Sequence, residues 1–378
     1  MSGFVQELER RARESPQAID RWLEAQPIPR VDGRSVTFVF HGPADTVNLR
    51  HWIFGLPSSQ AFTRIPGSWL WHLSLELPES SRMEYKLEIA RGFTQQLVHD
   101  PLNPAQAHDP FGGNSVVYGA GYELPEWTRP DPETRQGHIE EHEIASEAFG
   151  GRRAFKLYFP ARYRTMRRYP LLVVHDGDDY VRFSNLQTVL DNLIHRLEMP
   201  SMLVALVQSP DRLREYADDP RHAEFLVREL VPTLEERYPL LAIPGARGLM
   251  GASFGAVASL SAAWRYPSFF GNLMLQSGSF VFTDVGKHDR GPLFDPVVAF
   301  VNSFRDNPGR PAERVFMSCG QYESLIYYNR SMYPLLQQTG MQVRFSESRD
   351  GHNWENWRDR LREGLTYLFP GPLWYVYE

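Results

Sequence analysis

A serine set between two glycines, Gly251-Ala252-Ser253-Phe254-Gly255, constrains this 378-residue chain more than any other feature. Ahead of it lies Ala246-Arg247-Gly248-Leu249-Met250, which reads as a short buried strand, and residues 256–264 behind it read as a helix rich in small side chains. Gly-x-Ser-x-Gly at a strand-to-helix turn is the pattern of a nucleophile elbow, in which the serine hydroxyl projects from a strained turn above a sheet. A side chain two residues before or after the serine would collide with the packed strand and helix, so both places call for glycine. The helix that follows aims its N-terminal amides at the point where negative charge develops.

The rest of the chain supplies the setting. From about residue 137 onward, strand-like runs alternate with helical patterns. The strands are read at 154–159, 169–175, 201–207, 273–277, 314–318 and 341–345, and the helices at 186–197, 224–238, 256–266, 329–338 and 355–368. This alternation predicts an α/β, three-layer sandwich with a mostly parallel sheet. Residues 1–30 read as one or two short amphipathic helices stopped by Pro27 and Pro29. Short alternating segments at 36–40, 46–53, 69–77 and 83–89 follow, and predict a small all-β, immunoglobulin-like sandwich. The stretch 100–113 is too rich in Pro and Gly for regular structure, and the polar, proline-bearing run 125–133 is read as a linker. The expected domains are therefore 1–132 and 133–378.

A serine nucleophile needs a base and a group that orients the base. In the chain order serine, acid, histidine, the base is His352, in a loop after the 341–345 strand, and the acid is Glu323, after the 314–318 strand. His175 is the rival base, but it precedes the serine. The oxyanion would be met by the backbone amides of Phe254 and of Asp178, the latter in His175-Asp176-Gly177-Asp178. The Asp176, Asp178, Asp179 cluster lacks the glycine and glutamate spacing of a calcium loop, so neither a metal nor another cofactor is expected.

These motifs resemble the enterochelin (enterobactin) esterases and the wider esterase-D-like branch of the α/β-hydrolases. In the C-terminal part the resemblance rests on Pro170-Leu171-Leu172-Val173-Val174-His175-Asp176-Gly177, Arg212-Leu213-Arg214-Glu215-Tyr216, Glu229-Leu230-Val231-Pro232, the elbow, Gln276-Ser277-Gly278-Ser279, Gly320-Gln321-Tyr322-Glu323 and Gly351-His352-Asn353-Trp354. In the N-terminal part it rests on residues 64–72, on Tyr85-Lys86 and on Asp100-Pro101-Leu102-Asn103-Pro104. The chain departs from many members at Ala256, where they carry a second glycine, and Glu323 stands where feruloyl esterases carry Asp. The resemblance implies hydrolysis of ester bonds in a catecholate siderophore.

A ferric catecholate is aromatic and anionic, so a matching site needs arginines, which pair with oxygens and stack on rings. Arg212, Arg214 and Arg330 are the candidates, with an internal Arg214–Glu215 pair as the structural alternative for Arg214. A carbohydrate-linked esterase of feruloyl or acetyl type is the second reading, with Trp52, Trp69 and Trp71 as a sugar platform. A third makes the sandwich an interaction module beside an altered acyl-transfer site. The net charge of −6, with no long basic tract, argues against nucleic acid as a partner. The single cysteine, Cys319, allows no internal disulfide, and no run approaches the roughly 18 apolar residues of a membrane span. The charged N-terminus is unlike a secretory signal, and a cytoplasmic location is expected. The partner is thus a small-molecule ester, with no nucleic acid and no membrane, and the oligomeric state is open.

Overall fold

The structure, a computed structural model, describes residues 3–284 and 286–371. The outermost ends of the expected domains, residues 1–2 and 372–378, lie outside the described residues. The chain divides into two compact units. One comprises residues 1–123 with 320–324 and 348–353, and the other comprises 124–319, 325–347 and 354–378.

The first unit opens with two helices, Gly3–Arg11 and Pro16–Glu24, the second capped by the Ser15 side chain on the amide of Ala18. Their apolar faces (Leu8, Ile19, Leu23) pack with Val39 and Leu70 of the sandwich behind them. The strands are β1 (Arg30–Asp32), β2 (Ser35–His41), β3 (Thr46–His51), β4 (Ser59–Ala61), β5 (Thr63–Arg64), β6 (Leu70–Glu76), β7 (Arg82–Arg91), β8 (Thr94–Val98), β9 (Gln106–Asp109) and β10 (Gly112–Tyr118). They form a sheet of order β1-β2-β6-β5 and a second of order β4-β3-β7-β10-β9, with β8 also pairing β7. Alternate residues from both sheets fill the space between them: Phe38, Phe40 and Trp71 from one, Val47, Leu49, Tyr85 and Leu87 from the other. This is the two-layer arrangement that period-2 patterning predicts.

The stretch 100–113 is not irregular throughout. Residues 106–118 form the antiparallel pair β9–β10, with Gly112 opposite Asp109. The proline-bearing part ahead of it, residues 100–105, is a turn pinned by two buried side chains, Asp100 and Asn103. The Tyr85 hydroxyl donates to Asp100 Oδ2 at 2.6 Å, and Asn103 Nδ2 donates to the Tyr85 hydroxyl at 3.0 Å and to the Val116 carbonyl at 2.7 Å. Asp100 Oδ1 and Asn103 Oδ1 accept the amides of Leu102 and Ala105, both at 2.9 Å. Side-chain bonds of this kind satisfy the polar groups of a non-repetitive segment and hold it in one conformation.

The second unit holds an eight-stranded sheet of β11 (His138–Ser146), β12 (Gly151–Phe159), β13 (Leu171–His175), β14 (Leu203–Val207), β15 (Arg247–Ala252), β16 (Asn272–Gln276), β17 (Arg314–Gly320) and β18 (Gln342–Ser348), in the order β11-β12-β14-β13-β15-β16-β17-β18. β11 and β12 are a hairpin, and β12 meets β14 antiparallel. From β14 through β13, β15 and β16 to β17 every pairing is parallel. β13, β14 and β16 are buried at every residue, as parallel strands covered on both faces must be. One apolar layer includes the helix Phe254–Arg265, and the other the helices Leu186–His195 and Leu361–Leu368. The run read as a linker packs onto this unit: Asn192 Nδ2 donates to the carbonyls of Trp127 and Arg129, each at 2.8 Å.

Burial raises the Asp100 carboxyl to about 6, and its hydrogen bonds from Tyr85 and Leu102 pull the other way. Tyr85→Phe removes a donor from Asp100 and an acceptor from Asn103. It is expected to lower unfolding stability by about 1–3 kcal/mol in denaturant titration, and a change within about 0.3 kcal/mol would refute the pinning role.

Candidate active site

Ser253 sits between the buried end of β15 and the helix Phe254–Arg265 at φ 58°, ψ −117°, a conformation that L-residues avoid. The turn is sharp enough that a Cβ on Gly251 would lie 2.4 Å from the backbone of Gly255, so no side chain fits there. The case at Gly255 is milder, since its Cβ would stand 3.2 Å from the His175 Cβ. Ser253 is gripped by the end of β16 and the segment after it. Its amide donates to the Gln276 carbonyl at 2.9 Å, and its carbonyl accepts the Ser279 amide at 3.2 Å. The Ser253 and Ser279 hydroxyls stand 3.1 Å apart. Ser253 is half-buried, and the helix behind it is buried from Phe254 through Ala263, Ala256 included.

Asp176 caps the helix Gly177–Phe183 from a left-handed conformation, φ 54°. A Cβ on Gly177 would lie 2.5 Å from the Cβ of Leu206, so the turn can only be made with glycine. The Asp176 carboxylate is buried and accepts from Arg212 Nε at 2.8 and 2.9 Å, and Arg212 Nη2 donates to the Ala252 carbonyl at 3.3 Å. Burial raises the Asp176 carboxyl, and the guanidinium opposes it. One arginine thus joins the turn after β13 to the residue preceding the nucleophile. The Asp178 carboxylate points to Lys156 Nζ at 2.9 Å. Its amide lies in the first turn of its helix, where N–H groups have no intrahelical acceptor, as does that of Phe254 in the elbow helix.

His352 Nδ1 donates to Glu323 Oε2 at 2.6 Å; the carboxylate is buried and the ring reaches solvent. Glu323 Oε1 accepts the Gly320 amide at 2.7 Å, which fixes the carboxylate at its own loop. A buried carboxylate on Nδ1 holds the proton there, leaves Nε2 as the basic nitrogen and stabilises the imidazolium. Of the residues predicted from sequence, Glu323 and His352 are brought together in one unit, while Ser253, Phe254, Asp178 and Arg212 lie in the other.

The remaining candidates take other partners. Arg330 pairs with Glu347 at 2.7 Å. Arg214 is exposed, and the internal Arg214–Glu215 pair does not form, because Glu215 is buried against Arg153 at 2.7 Å and Ser209 at 2.6 Å. Trp71 is buried, with its Nε1 donating to the Gly42 carbonyl at 3.2 Å, whereas Trp52 and Trp69 are exposed. Sequence reasoning gave no role to Ser279 and no partner to Asp176. The Gln276-Ser277-Gly278-Ser279 motif was the available signal for the first.

His175 is a structural histidine. Its Nδ1 stands 3.1 Å from the Met250 carbonyl, which can only accept, so Nδ1 carries the proton and Nε2 is bare. His222 Nε2, 2.9 Å away, must then donate to it. Burial pushes His175 down to about 4 and His222 well below its ordinary value.

With this geometry in view, the chain is an α/β-hydrolase carrying a serine elbow. Residues 146–368 match the family described as putative esterase; the chain belongs to that family and is a serine ester hydrolase. It is 25% identical over 344 residues to an iron(III) enterobactin esterase of Escherichia coli O6:H1, 82% of each chain being covered. The crystal structure of a ferric enterobactin esterase from Salmonella typhimurium superposes with a TM-score of 0.76 at 21% identity, over 92% of this chain and 98% of that one. A ferulic acid esterase superposes with a TM-score of 0.55 at 19% identity, over 62% of this chain and 98% of its own. No helix among the described residues is long and apolar enough to cross a membrane.

Two outcomes are expected. Arg212→Gln should lower kcat on charged and neutral esters alike, because the lost contacts are to Asp176 and Ala252; a loss confined to anionic esters would show that Arg212 meets substrate instead. The second concerns pH. His175 and His222 bind a proton more readily unfolded than folded, so their contribution to stability falls as pH drops from the ordinary histidine value of 6.5 towards about 4. Asp100 and Asp350, with raised values of about 6 and about 7, act in the opposite direction. The change in denaturation midpoint from pH 7 to pH 5, whatever its net sign, should therefore be more favourable in His222→Gln than in the unaltered protein, and identical slopes would contradict the assignment.

Proposed function

We propose that this chain is a serine esterase that cleaves the ester (lactone) bonds of a catecholate trilactone siderophore such as ferric enterobactin, releasing iron in the cytoplasm. The observation that carries the ester hydrolysis is the strained Ser253 elbow together with a buried carboxylate hydrogen-bonded to His352, in the chain order serine, acid, histidine. The siderophore is supported by the extent of the likeness: enterobactin esterases are matched over the sandwich as well as the hydrolase part, and the ferulic acid esterase over a shorter span.

In this reading Ser253 Oγ attacks the ester carbonyl carbon while His352 Nε2 takes its proton. Glu323 holds the imidazolium, and the amides of Phe254 and Asp178 receive the oxyanion. The leaving hydroxyl takes the proton from His352, and a water molecule repeats the sequence to free the acyl group. The substrate is a small-molecule ester carrying its iron as cargo. Arg214 is the exposed cation on the Arg212–Glu215 turn and is the residue proposed to meet the anionic catecholates.

The test compares ferric enterobactin, a feruloyl ester and a short neutral acyl ester. Ser253→Ala and His352→Ala should each lower kcat by about 10⁴-fold or more on every ester cleaved, and Glu323→Gln by about 10²–10⁴-fold. Turnover near that of the unaltered protein in either alanine variant overturns the triad. Arg214→Gln should raise KM for the ferric catecholate and leave the neutral ester unchanged. A protein that cleaves feruloyl esters efficiently and leaves the trilactone intact would overturn the siderophore reading alone.

A further inference from the structure

The compact unit built on the sandwich includes residues 320–324 and 348–353, and these carry Glu323 and His352. Several ties from residues 54–84 hold them. The amide of Phe54 donates to the Tyr322 carbonyl at 2.8 Å, and the Ser81 and Tyr322 hydroxyls are 2.6 Å apart. The amide of Arg82 donates to the Arg349 carbonyl at 2.9 Å, and the Arg349 guanidinium donates to the Glu79 carbonyl at 2.7 Å. The two loops are also bonded to each other, the amide of Tyr322 to the Asp350 carbonyl at 3.1 Å and that of Gln321 to the Ser348 carbonyl at 2.7 Å.

The Arg82 side chain is the centre of this arrangement. It leaves the start of β7 and is 1% exposed. Its Nη1 donates to Asp350 Oδ1 at 3.2 Å and to Asn353 Oδ1 at 2.9 Å, the residues on either side of Gly351 and His352. Its Nη2 donates to Glu84 Oε1 at 2.9 Å, and Glu84 Oε2 is held by Asn114 Nδ2 at 2.7 Å. Within the loop, Asp350 Oδ1 also accepts from the Gly351 amide at 2.7 Å and from Asn353 Nδ2 at 2.8 Å. A buried charge network of this kind adds little stability over well-packed apolar side chains. What it does fix is geometry, because a forked donor with fixed angles admits few arrangements of its acceptors.

We propose that Arg82 is a positioning residue for the catalytic base: by clamping Asp350 and Asn353 it sets the ring of His352 against Glu323, so that the N-terminal sandwich completes the acid–base pair. The inference rests on the reading of His352 and Glu323 as base and acid, and its test separates the two. Displacement of a reacting group by about 1 Å costs about 100-fold in rate. Arg82→Met should therefore lower kcat by about 100-fold with KM changed less than about 2-fold, and Arg82→Lys, which keeps charge without the fork, should restore part of it. A far-downfield proton resonance of His352 Nδ1–H against Glu323 is expected in the unaltered protein and should broaden or vanish in Arg82→Met.

Two milder variants decide the matter if Arg82→Met does not fold. Tyr322→Phe and Asp350→Asn should each lower kcat at constant KM. Val47→Ala, a sandwich-core change away from these loops, should lower the melting temperature and leave kcat unchanged. If His352→Ala is inactive while folded Arg82→Met, Tyr322→Phe and Asp350→Asn keep the unaltered kcat and resonance, the clamp is structural only and the inference falls. If His352→Ala itself is active, the triad reading falls instead.

Discussion

A serine kept at φ 58°, ψ −117° is the constraint on which the rest of the catalytic unit depends. Such a conformation costs on the order of 1–3 kcal/mol and persists only where the surroundings over-determine it. Here they do. β15 is hydrogen-bonded on both sides, the following helix is buried along most of its length, and the end of β16 with the segment after it takes both the amide and the carbonyl of Ser253. That segment is itself fixed, since Gln276 accepts from the Tyr180 hydroxyl at 2.8 Å and donates to the Trp357 carbonyl at 2.9 Å. β15, the elbow helix and the end of β16 therefore meet at one backbone position, and the strain is sustained by burial that the sheet provides for its own reasons.

The same device recurs in each unit: a loop proposed to carry function is anchored by an arginine on a buried carboxylate. Arg212 on Asp176 joins the turn after β13 to the elbow, and Arg82 on Asp350 anchors the His352 loop. In both, burial pushes the carboxyl upward, Asp350 to about 7, and the nearby guanidinium is what favours ionisation. An apolar pair of similar volume would pack as well, but it would allow the loop to slide. Hydrogen bonds with fixed angles do not, and sites of this chemistry need their groups held within about half an ångström.

Much of the catalytic unit was legible because its signals are local. The elbow joins a glycine pattern to a buried strand and a small-residue helix, and the Ser-acid-His order follows the connectivity of the sheet. Glu323 and His352, paired in the sequence reading from loop position alone, stand 2.6 Å apart. The helix Asp295–Asp306 was not read from the sequence, although Val297, Val298, Phe300, Val301 and Phe304 repeat at helical spacing and are buried. The turn at 100–105 looked irregular because its order comes from Tyr85 and Val116, residues remote in sequence. Arg82 carried no signal for the same reason. An arginine opening a strand reads as solvated, and only the fold reveals an aspartate 268 positions away.

The arginines show how much residue type leaves open. Arg212, Arg214 and Arg330 were read as anion receptors because guanidinium groups suit catecholate oxygens. A guanidinium already bonded to a carboxylate offers a weaker field to a third charge, and Arg212 and Arg330 are both in that position. Arg214 differs because of its neighbour. Glu215 turns inward to Arg153 and Ser209, so the carboxylate next in sequence does not neutralise it. The Arg212–Glu215 turn thus uses one arginine and one glutamate to hold its own shape and leaves a single cation facing water. If an anionic ester is recognised from this turn, the selectivity resides in that one exposed charge, and the two buried pairs serve to keep it in place.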